Sequence, residues 1–425
     1  MNLRAFINKF TITILSLIIV SACSETEPAP DDKIISQYDE NAINVGYIHG
    51  SPIRLRRSAA LATEHVNNAG GVLGQKLNLI YNTLGSIDET VAKAIPMMDD
   101  YDIQVLLTTT SSRTLAVLEE SKPRKVLLIS ETATSPSLST VEDNDLLFRT
   151  APSDVHQGKV MAQLGFDKGA RTAVFIYNQD DSYGIGLTEE FKKEFLLLGG
   201  SSVTTVEIPD DKFIGFDEYM NDVYGSQPDV IVFALIRPTV ISNFINETIN
   251  QNFQGIYLFS DTATNTDFSD NVADPAIIKE AYGVSPGIGL KQSEHYQFFS
   301  QSYYDIFATE LQSFNANAYD AVIILALAIE HAGLTNNSTN PNGELIRHSM
   351  REIMNPDGIE VGPANLAQAF SYIQNNQAIN YFGAYSNNDF NSAGDIVGTL
   401  VYDIYTFNKT EVVFESFEQV IINIP

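Results

Sequence analysis

Short apolar runs alternate with longer segments of helical periodicity from residue 43 onward, and this alternation most constrains the fold. Runs such as IQVLL at 103–107 and KVLLI at 125–129 predict buried strands. Residues 55–68 have apolar side chains at helical spacing and are followed by Gly70-Gly71, which predicts a helix that ends there. Continuous apolar strands separated by helices indicate a parallel sheet that is covered on both faces.

The same alternation starts again in the middle of the chain. Strand-like runs recur at 173–177 (AVFIY), 230–234 (VIVFA) and 256–259 (IYLF), with helical segments between them. Two successive βαβ series predict an α/β fold of two doubly wound, parallel-sheet lobes. A strongly apolar helix is predicted at 320–332, and two further strands near 397–401 and 405–407.

The N-terminus has the pattern of an export signal. Residues 1–9 carry Arg4 and Lys9 and no acid, and residues 10–20 (FTITILSLIIV) are an apolar core. The core is too short to span a bilayer as a stable helix. A charged start, a short apolar stretch and small residues at 21 and 22 predict a signal peptide over residues 1–22.

Cys23 is the only cysteine in the chain and directly follows the predicted signal. Residues 20–23 (VSAC) resemble the bacterial lipobox, which implies that Cys23 is lipidated and becomes the mature N-terminus. The alternative is an ordinary secretory signal with a chance cysteine. The polar, acidic and proline-bearing segment after it predicts a flexible tether over residues 23–41. The protein is then periplasmic or on the cell surface, anchored in either the inner or the outer membrane.

Composition excludes several functions. A lone cysteine allows neither an intramolecular disulfide nor a cysteine-based metal site. The formal net charge of −28 repels nucleic acid. The six histidines have no metal-ligand spacing, and the sequence contains no HExxH, GxSxG, GxxxxGK[ST] or complete GxGxxG motif. We therefore expect a protein that is not an enzyme and that binds neither a metal nor another cofactor.

Hydroxyl-rich loops follow two neighbouring strands of the first predicted lobe. Residues 108–114 (TTTSSRT) lead into a helix, and residues 130–136 (SETATSP) follow the next strand. Ligands of open parallel sheets bind at the carboxyl ends of the strands. Hydroxyls and free N–H groups at a helix start suit a carboxylate, although the same residues would serve equally well as helix caps. Glu131 would weaken an anion site unless it points away or pairs with Arg113.

Tyr183 and Asp261, which follow strands of the second lobe, are further candidates for contact with a ligand. Tyr183 follows the run at 173–177 and would supply an aromatic wall, or pack locally in its loop. Asp261 follows the run at 256–259 and would accept from a ligand ammonium, or cap a turn.

Several stretches together resemble type I periplasmic binding proteins of the leucine/isoleucine/valine-binding branch, the receptors of ABC transporters. The resemblance covers about residues 44–407. The stretches are GGVLG at 70–74, SSRT at 111–114, ISETATSP at 129–136, FRTAPSDVHQG at 148–158, DSYGIGL at 181–187 and YDAVIILALAIEHAG at 319–333.

The resemblance implies a role for individual residues. Ser111 and Ser112 lie in the loop that holds the ligand carboxylate, together with the hydroxyl and amide of Thr134. The carbonyl of Ala133 and the carboxylate of Asp261 would hold the ammonium group. Tyr183 would line the side-chain pocket.

The chain departs from that family in several places. The first loop, at 49–52, is short, and the chain has no tryptophan. After the run at 230–234, Leu235 and Ile236 replace polar or aromatic residues often found there, and Glu131 and Arg113 are also unusual.

The resemblance also implies three crossovers, near 151–153, 284–287 and 382–386. Lobe 1 would comprise 42–151 and 287–383, and lobe 2 would comprise 152–286 and 384–425. The implied function is capture of a small, amino-acid-like ligand by hinge closure, with delivery to an ABC permease. The alternatives are an envelope lipoprotein that acts as a sensor or interaction module, such as an activator of a cell-wall synthase, and a hydrolase.

Overall fold

The computed structural model describes residues 37–50, 53–248, 251, 253–264, 266–278, 281–354, 356–407 and 414–424. The predicted signal peptide, Cys23 and most of the predicted tether lie outside the described residues. Within them, the chain forms two α/β lobes, each built on its own main sheet.

The chain first builds the sheet of lobe 1. Its five strands are all parallel and lie in the order β2-β1-β3-β4-β5. The elements are β1 (Ala42–His49), α1 (Ile53–Asn68), β2 (Lys76–Thr83), α2 (Ile87–Asp99), β3 (Val105–Thr108), α3 (Ser111–Arg124), β4 (Leu127–Ser130) and β5 (Leu147–Arg149).

The chain then crosses to lobe 2 and repeats the pattern. Strands β6 to β10 are parallel and lie in the order β10-β9-β8-β6-β7. The elements are α4 (Asp154–Asp167), β6 (Thr172–Asn178), α5 (Ser182–Leu197), β7 (Ser202–Ile208), α6 (Asp217–Tyr224), β8 (Val230–Ala234), α7 (Pro238–Glu247), β9 (Ile256–Phe259), α8 (Thr266–Ser269) and β10 (Ala281–Pro286).

The chain next returns to lobe 1 and ends in lobe 2. Lobe 1 gains α9 (Glu294–Phe307), α10 (Asn315–Asn336), α11 (Gly343–Glu352), β11 (Ile359–Val361), α12 (Leu366–Gln374) and β12 (Ile379–Tyr381). Lobe 2 gains β13 (Asn388–Phe390), β14 (Ile396–Phe407) and β15 (Phe414–Ile424). The lobe boundaries given above remain predictions. The connections between the lobes run from β5 to α4, from β10 to α9 and from β12 to β13.

The C-terminal part of lobe 2 differs from the sequence expectation. The two strands predicted near 397–401 and 405–407 are one continuous strand, β14, because the residues between them stay in register with β10. Strand β14 is antiparallel to β10, β13 and β15, so an antiparallel edge extends the parallel core of this sheet. Strand β15 was not predicted. Its neighbours in sequence, 408–413, lie outside the described residues.

Helix α10 is the central helix of lobe 1. It is apolar on all sides and is surrounded by protein. By length and composition alone it is also long and apolar enough to cross a membrane. Asp320 lies in this apolar helix and accepts hydrogen bonds from the backbone N–H groups of Ala384 and Tyr385, each at 2.8 Å. The helix therefore fixes the third connection between the lobes.

Candidate functional site

A cavity of about 150 Å³ lies between the two lobes, where the carboxyl ends of their strands face each other. Thr109 and Thr110 follow β3, and Thr132 follows β4. Asp181 and Asp261 follow β6 and β9 of the other lobe. Its lining comprises Gly50, Arg54, Leu55, Thr109, Thr110, Ser111, Thr132, Asp181, Tyr183, Ile236, Pro238, Asp261, Thr262 and Phe314. This is the position at which open α/β sheets bind ligands.

The wall from lobe 1 is the N-terminus of α3. Thr110 has φ 63° and ψ 143°, which is strained for a β-branched residue. Its N–H donates to Thr132 Oγ1 at 3.1 Å, which joins the two hydroxyl-rich loops. Ser111 Oγ accepts from the N–H of Ser135 at 3.1 Å, a bond that does not use the hydroxyl hydrogen of Ser111. A hydroxyl at the positive end of a helix favours an anionic group.

The wall from lobe 2 is built on Asp261. Its Oδ1 accepts from the Tyr183 hydroxyl at 2.8 Å and from Gln157 Nε2 at 2.9 Å. These bonds fix the carboxylate at the edge of the cavity. Burial raises the pKa of Asp261 above its ordinary value, because few polar groups replace the water that a charged carboxylate would otherwise have. A cation that reaches Asp261 would relieve that cost.

The structure brings together three of the predicted ligand residues. Ser111, Tyr183 and Asp261 all line the cavity, with Ser111 on one lobe and the other two on the opposite lobe. Tyr183 and Ser111 are almost fully buried. Ser112 is placed differently. Its Oγ donates to Asp181 Oδ1 at 2.7 Å and accepts from the N–H of Ser182 at 3.0 Å, so it joins lobe 1 to lobe 2 at the edge of the cavity.

Ala133 and Thr134 are fully buried and lie outside the lining of this cavity. The Ala133 carbonyl accepts from Arg149 Nη1 at 3.3 Å. The Thr134 hydroxyl donates to Asp154 Oδ2 at 2.9 Å. Burial, and next the charge of Asp261, raises the pKa of Asp154. In this conformation the Ala133 carbonyl and the Thr134 hydroxyl are therefore bonded to other residues of the protein.

Glu131 points away from the cavity. It is fully buried, its Oε1 accepts from the Tyr47 hydroxyl at 2.7 Å, and burial raises its pKa to about 8. Arg113 does not pair with it, because Arg113 Nε donates to the Gly85 carbonyl at 2.9 Å. The sequence left open whether Glu131 points away from the anion site or pairs with Arg113, and in the structure it points away.

Several lining residues were not singled out from the sequence. Arg54 lies in the first turn of α1, and its charge lowers the pKa of Asp261, although burial outweighs it. Phe314 precedes α10, more than 250 residues along the chain from Arg54. Only the return of the chain to lobe 1 brings Phe314 to the cavity, and no local pattern indicates it. Thr110 and Thr132 belong to the hydroxyl-rich loops. The sequence predicted these loops at the site but did not single out these two residues.

The two walls of the cavity suit different chemical groups of a ligand. Among the described residues no group of three or more histidine, cysteine, aspartate or glutamate side chains could hold a metal ion. Hydroxyls and a helix N-terminus on one wall suit a carboxylate, and Asp261 on the other suits an ammonium group. Leu55, Pro238 and Phe314 supply apolar surface between them.

Comparison with known proteins agrees with this geometry. The model of the periplasmic binding protein family matches residues 51–379. The substrate-binding protein BasB of a chemotactic signal transduction system in Halobacterium salinarum is 24% identical over 82% of this chain and 81% of its own length. The Leu/Ile/Val-binding protein BraC3 of Rhizobium johnstonii is 25% identical over 66% of this chain and 75% of its own length.

Solved structures share the fold. The leucine-binding protein LivK of Thermotoga maritima superposes with a TM-score of 0.73 at 18% identity, over 90% of this chain and 99% of its own. LivJ of Streptococcus pneumoniae, in complex with isoleucine, superposes with a TM-score of 0.70 at 18% identity, over 90% of this chain and 100% of its own. The family consists of binding proteins rather than enzymes and works outside the cytoplasm. The resemblance noted in the sequence is confirmed at the level of the family: this chain belongs to the periplasmic binding protein family, and it has the type I fold of LivK and LivJ.

Proposed function

We propose that this protein is a lipid-anchored receptor that captures an α-amino acid between its lobes and delivers it to an ABC transporter. One observation carries the proposal. A hydroxyl-bearing helix N-terminus of lobe 1 and the Asp261 carboxylate of lobe 2 face each other across a cavity of about 150 Å³. A zwitterion satisfies both walls at once, and neither wall alone holds both of its charges.

Hinge closure follows from that division of the contacts. Ser111 belongs to lobe 1, while Asp261 and Tyr183 belong to lobe 2, so a ligand gains all its contacts only when the lobes are together. The ligand therefore binds the closed form better and shifts the equilibrium toward it. Two solved structures of the same fold support an amino acid as the ligand, because LivJ was solved with isoleucine and a substrate-binding protein from Desulfitobacterium hafniense with leucine.

Replacement of Asp261 tests the proposal. Asp261→Ala removes the group that would face the ammonium, and loss of one partner of a buried ion pair costs about 2–5 kcal/mol. We expect an affinity loss of roughly thirtyfold or more for any amino acid that the wild type binds, measured by calorimetry on the mature protein. Asp270→Ala, at an exposed residue, is the control and should bind as the wild type does. Unchanged affinity in Asp261→Ala would remove the role of Asp261.

The lipid anchor is a separate part of the proposal. The pattern VSAC at 20–23 supports it. Wild-type protein grown with radiolabelled palmitate should carry the label and sediment with membranes. Cys23→Ser should lose both the label and the membrane association. A wild-type protein that carries no label would refute the anchor and would leave the ligand proposal untouched.

A second candidate function is that of a sensor. Its support is the name of BasB, which assigns that relative to a chemotactic signal transduction system. Uptake and behaviour separate the two roles. A transport receptor predicts that deletion of the gene abolishes uptake of the radiolabelled amino acid. A sensor predicts that uptake persists and that only the cellular response to the amino acid is lost.

A further inference from the structure

We infer that Ile236 and Asp181 form a partition that limits the length of the ligand side chain, and that a second chamber suited to a cationic group lies behind it. This inference rests on the proposed function, because it concerns which amino acids the cavity accepts. The partition makes the protein selective for short, apolar side chains.

The second chamber is a groove of about 710 Å³ between the same two lobes, and it is open to solvent, because most of its lining residues are exposed. Ile87, Asp88 and Arg113 line it from lobe 1, and Asp211 and Phe213 from lobe 2. Two residues of lobe 2, Asp181 and Ile236, line both this outer chamber and the inner cavity. Their side chains therefore stand between the two spaces.

Hydrogen bonds hold both partition residues in place. Asp181 Oδ2 accepts from the N–H of Gly184 at 3.2 Å as the cap of α5, and Oδ1 accepts from the Ser112 hydroxyl across the lobes at 2.7 Å. The N–H of Ile236 donates to Asn178 Oδ1 at 2.8 Å. Two residues later, α7 begins with Pro238. The partition is thus a rigid part of lobe 2 that lobe 1 completes.

The inner cavity suits a small apolar side chain. Its volume of about 150 Å³ is below the roughly 300–1,000 Å³ that is usual for sites of drug-sized ligands. Its apolar lining comprises Leu55, Tyr183, Ile236, Pro238 and Phe314. Once a zwitterion occupies the polar walls, the apolar side chains and the partition residues Asp181 and Ile236 bound the remaining space, and a long side chain would have to pass the partition.

The outer chamber carries excess negative charge. Asp88, Asp180, Asp181, Asp210 and Asp211 line it, together with the two arginines 113 and 237. Arg237 Nη2 already lies 3.4 Å from Asp210 Oδ2, and its guanidinium lies 5.1 Å from the centre of the Phe213 ring. Carboxylates outnumber cations, so the charge in the chamber favours a positively charged end of a ligand over a negative one.

Removal of the partition side chain tests the inference. Ile236→Ala should connect the two chambers and let the ammonium end of L-lysine reach the carboxylates that line only the outer chamber, such as Asp210 and Asp211. We measure binding of L-valine, L-leucine, L-norleucine and L-lysine by calorimetry. We expect the wild type to prefer valine or leucine to lysine by roughly tenfold or more, since a site shaped for one size discriminates by about that factor. In Ile236→Ala the affinity for lysine should rise by about tenfold. This rise should exceed the rise in affinity for norleucine, because only lysine carries the charge.

Two control variants separate opening of the partition from simple enlargement. Leu55→Ala enlarges the inner cavity and leaves the partition intact, so it should not improve lysine binding. Ile87→Ala alters only the outer chamber, so it should leave valine and leucine affinities unchanged. Ile236→Val retains the fold more safely and should show the same trend with a smaller gain.

The outcomes distinguish this inference from the proposed function. A folded Ile236→Ala that binds leucine and gains no affinity for lysine overturns the partition while amino acid binding stands. A wild type that binds lysine as tightly as leucine also overturns the partition. A wild type that binds none of the four amino acids refutes the proposed function, and the partition with it.

Discussion

Thr134 and Asp154 are joined twice across the first connection between the lobes. The Thr134 hydroxyl donates to Asp154 Oδ2 at 2.9 Å, and the Asp154 N–H donates to the Thr134 carbonyl at 2.8 Å. Both residues have no exposed surface. The hydroxyl hydrogen that the family resemblance assigns to a ligand carboxylate is therefore engaged by Asp154 in this conformation.

Replacement of Thr134 should affect stability more than binding. Thr134→Val keeps the shape and removes the hydroxyl, which leaves Asp154 Oδ2 buried without this donor. We expect a loss of about 1–3 kcal/mol in the free energy of unfolding, measured by urea denaturation. Thr134→Ser retains a hydroxyl and is the matched control. A variant Thr134→Val that keeps its stability and loses ligand affinity would instead support the direct role predicted from the sequence.

Ser112 should contribute to affinity without lining the cavity. Its bond to Asp181 is made between the lobes, so it stabilises only conformations in which the lobes are together. Ser112→Ala should cost about 1–2 kcal/mol of ligand binding, which is roughly five- to thirtyfold in the dissociation constant. Calorimetry measures the loss, and Ser201→Ala, at an exposed residue, is the control. Equal affinities in wild type and Ser112→Ala would show that this bond does not favour closure.

The sequence predicted the central elements of both sheets because buried parallel strands are continuous apolar runs. Strand β8 at Val230–Ala234 is fully buried and was predicted at the same residues. Strand β15 is antiparallel at the sheet edge and has exposed residues such as Ile421, so it lacks that pattern. Its pairing depends on β14, and local sequence does not encode contacts of this kind.

The candidate site was predictable where it follows a strand directly. Ser111, Tyr183 and Asp261 lie within a few residues of strand ends, and parallel topology brings such positions together. Arg54 and Phe314 reach the cavity from helix starts that no strand end indicates. Thr134 follows a strand as well, but the bond to Asp154 that turns it away could not be read from either loop alone.

Gly186 should be required for close approach of the lobes. A Cβ at this position of α5 would lie 2.5 Å from Pro136 Cδ and 3.1 Å from Ser135 Oγ, both in lobe 1. Gly186→Ala should therefore weaken ligand binding by opposing closure, and small-angle scattering with ligand present should show a larger radius of gyration than for the wild type. Gly165→Ala is the matched helical control, because its Cβ would meet nothing closer than 4.0 Å.

The two glycine variants should have different effects on ligand affinity and on stability. Alanine in a helix interior is more stable than glycine by roughly 0.5–1 kcal/mol, so Gly165→Ala should leave affinity unchanged and raise the unfolding temperature slightly. Wild-type affinity in Gly186→Ala would mean that Pro136 and α5 can separate without any effect on the bound form.

Glu131 should make the protein less stable as the pH rises. Burial raises its pKa from 4.5 to about 8 in the folded state, so the folded protein keeps a proton that the unfolded chain releases between those values. Folding stability from this group therefore falls across that window, by at most about 1.4 kcal/mol per pH unit. Glu131→Gln cannot ionise and keeps a polar partner for Tyr47. Its stability relative to the wild type should increase from pH 5 to pH 8 in urea denaturation, whereas the exposed Glu142→Gln should follow the wild type. A difference that stays constant with pH would show that Glu131 is already ionised in the folded protein.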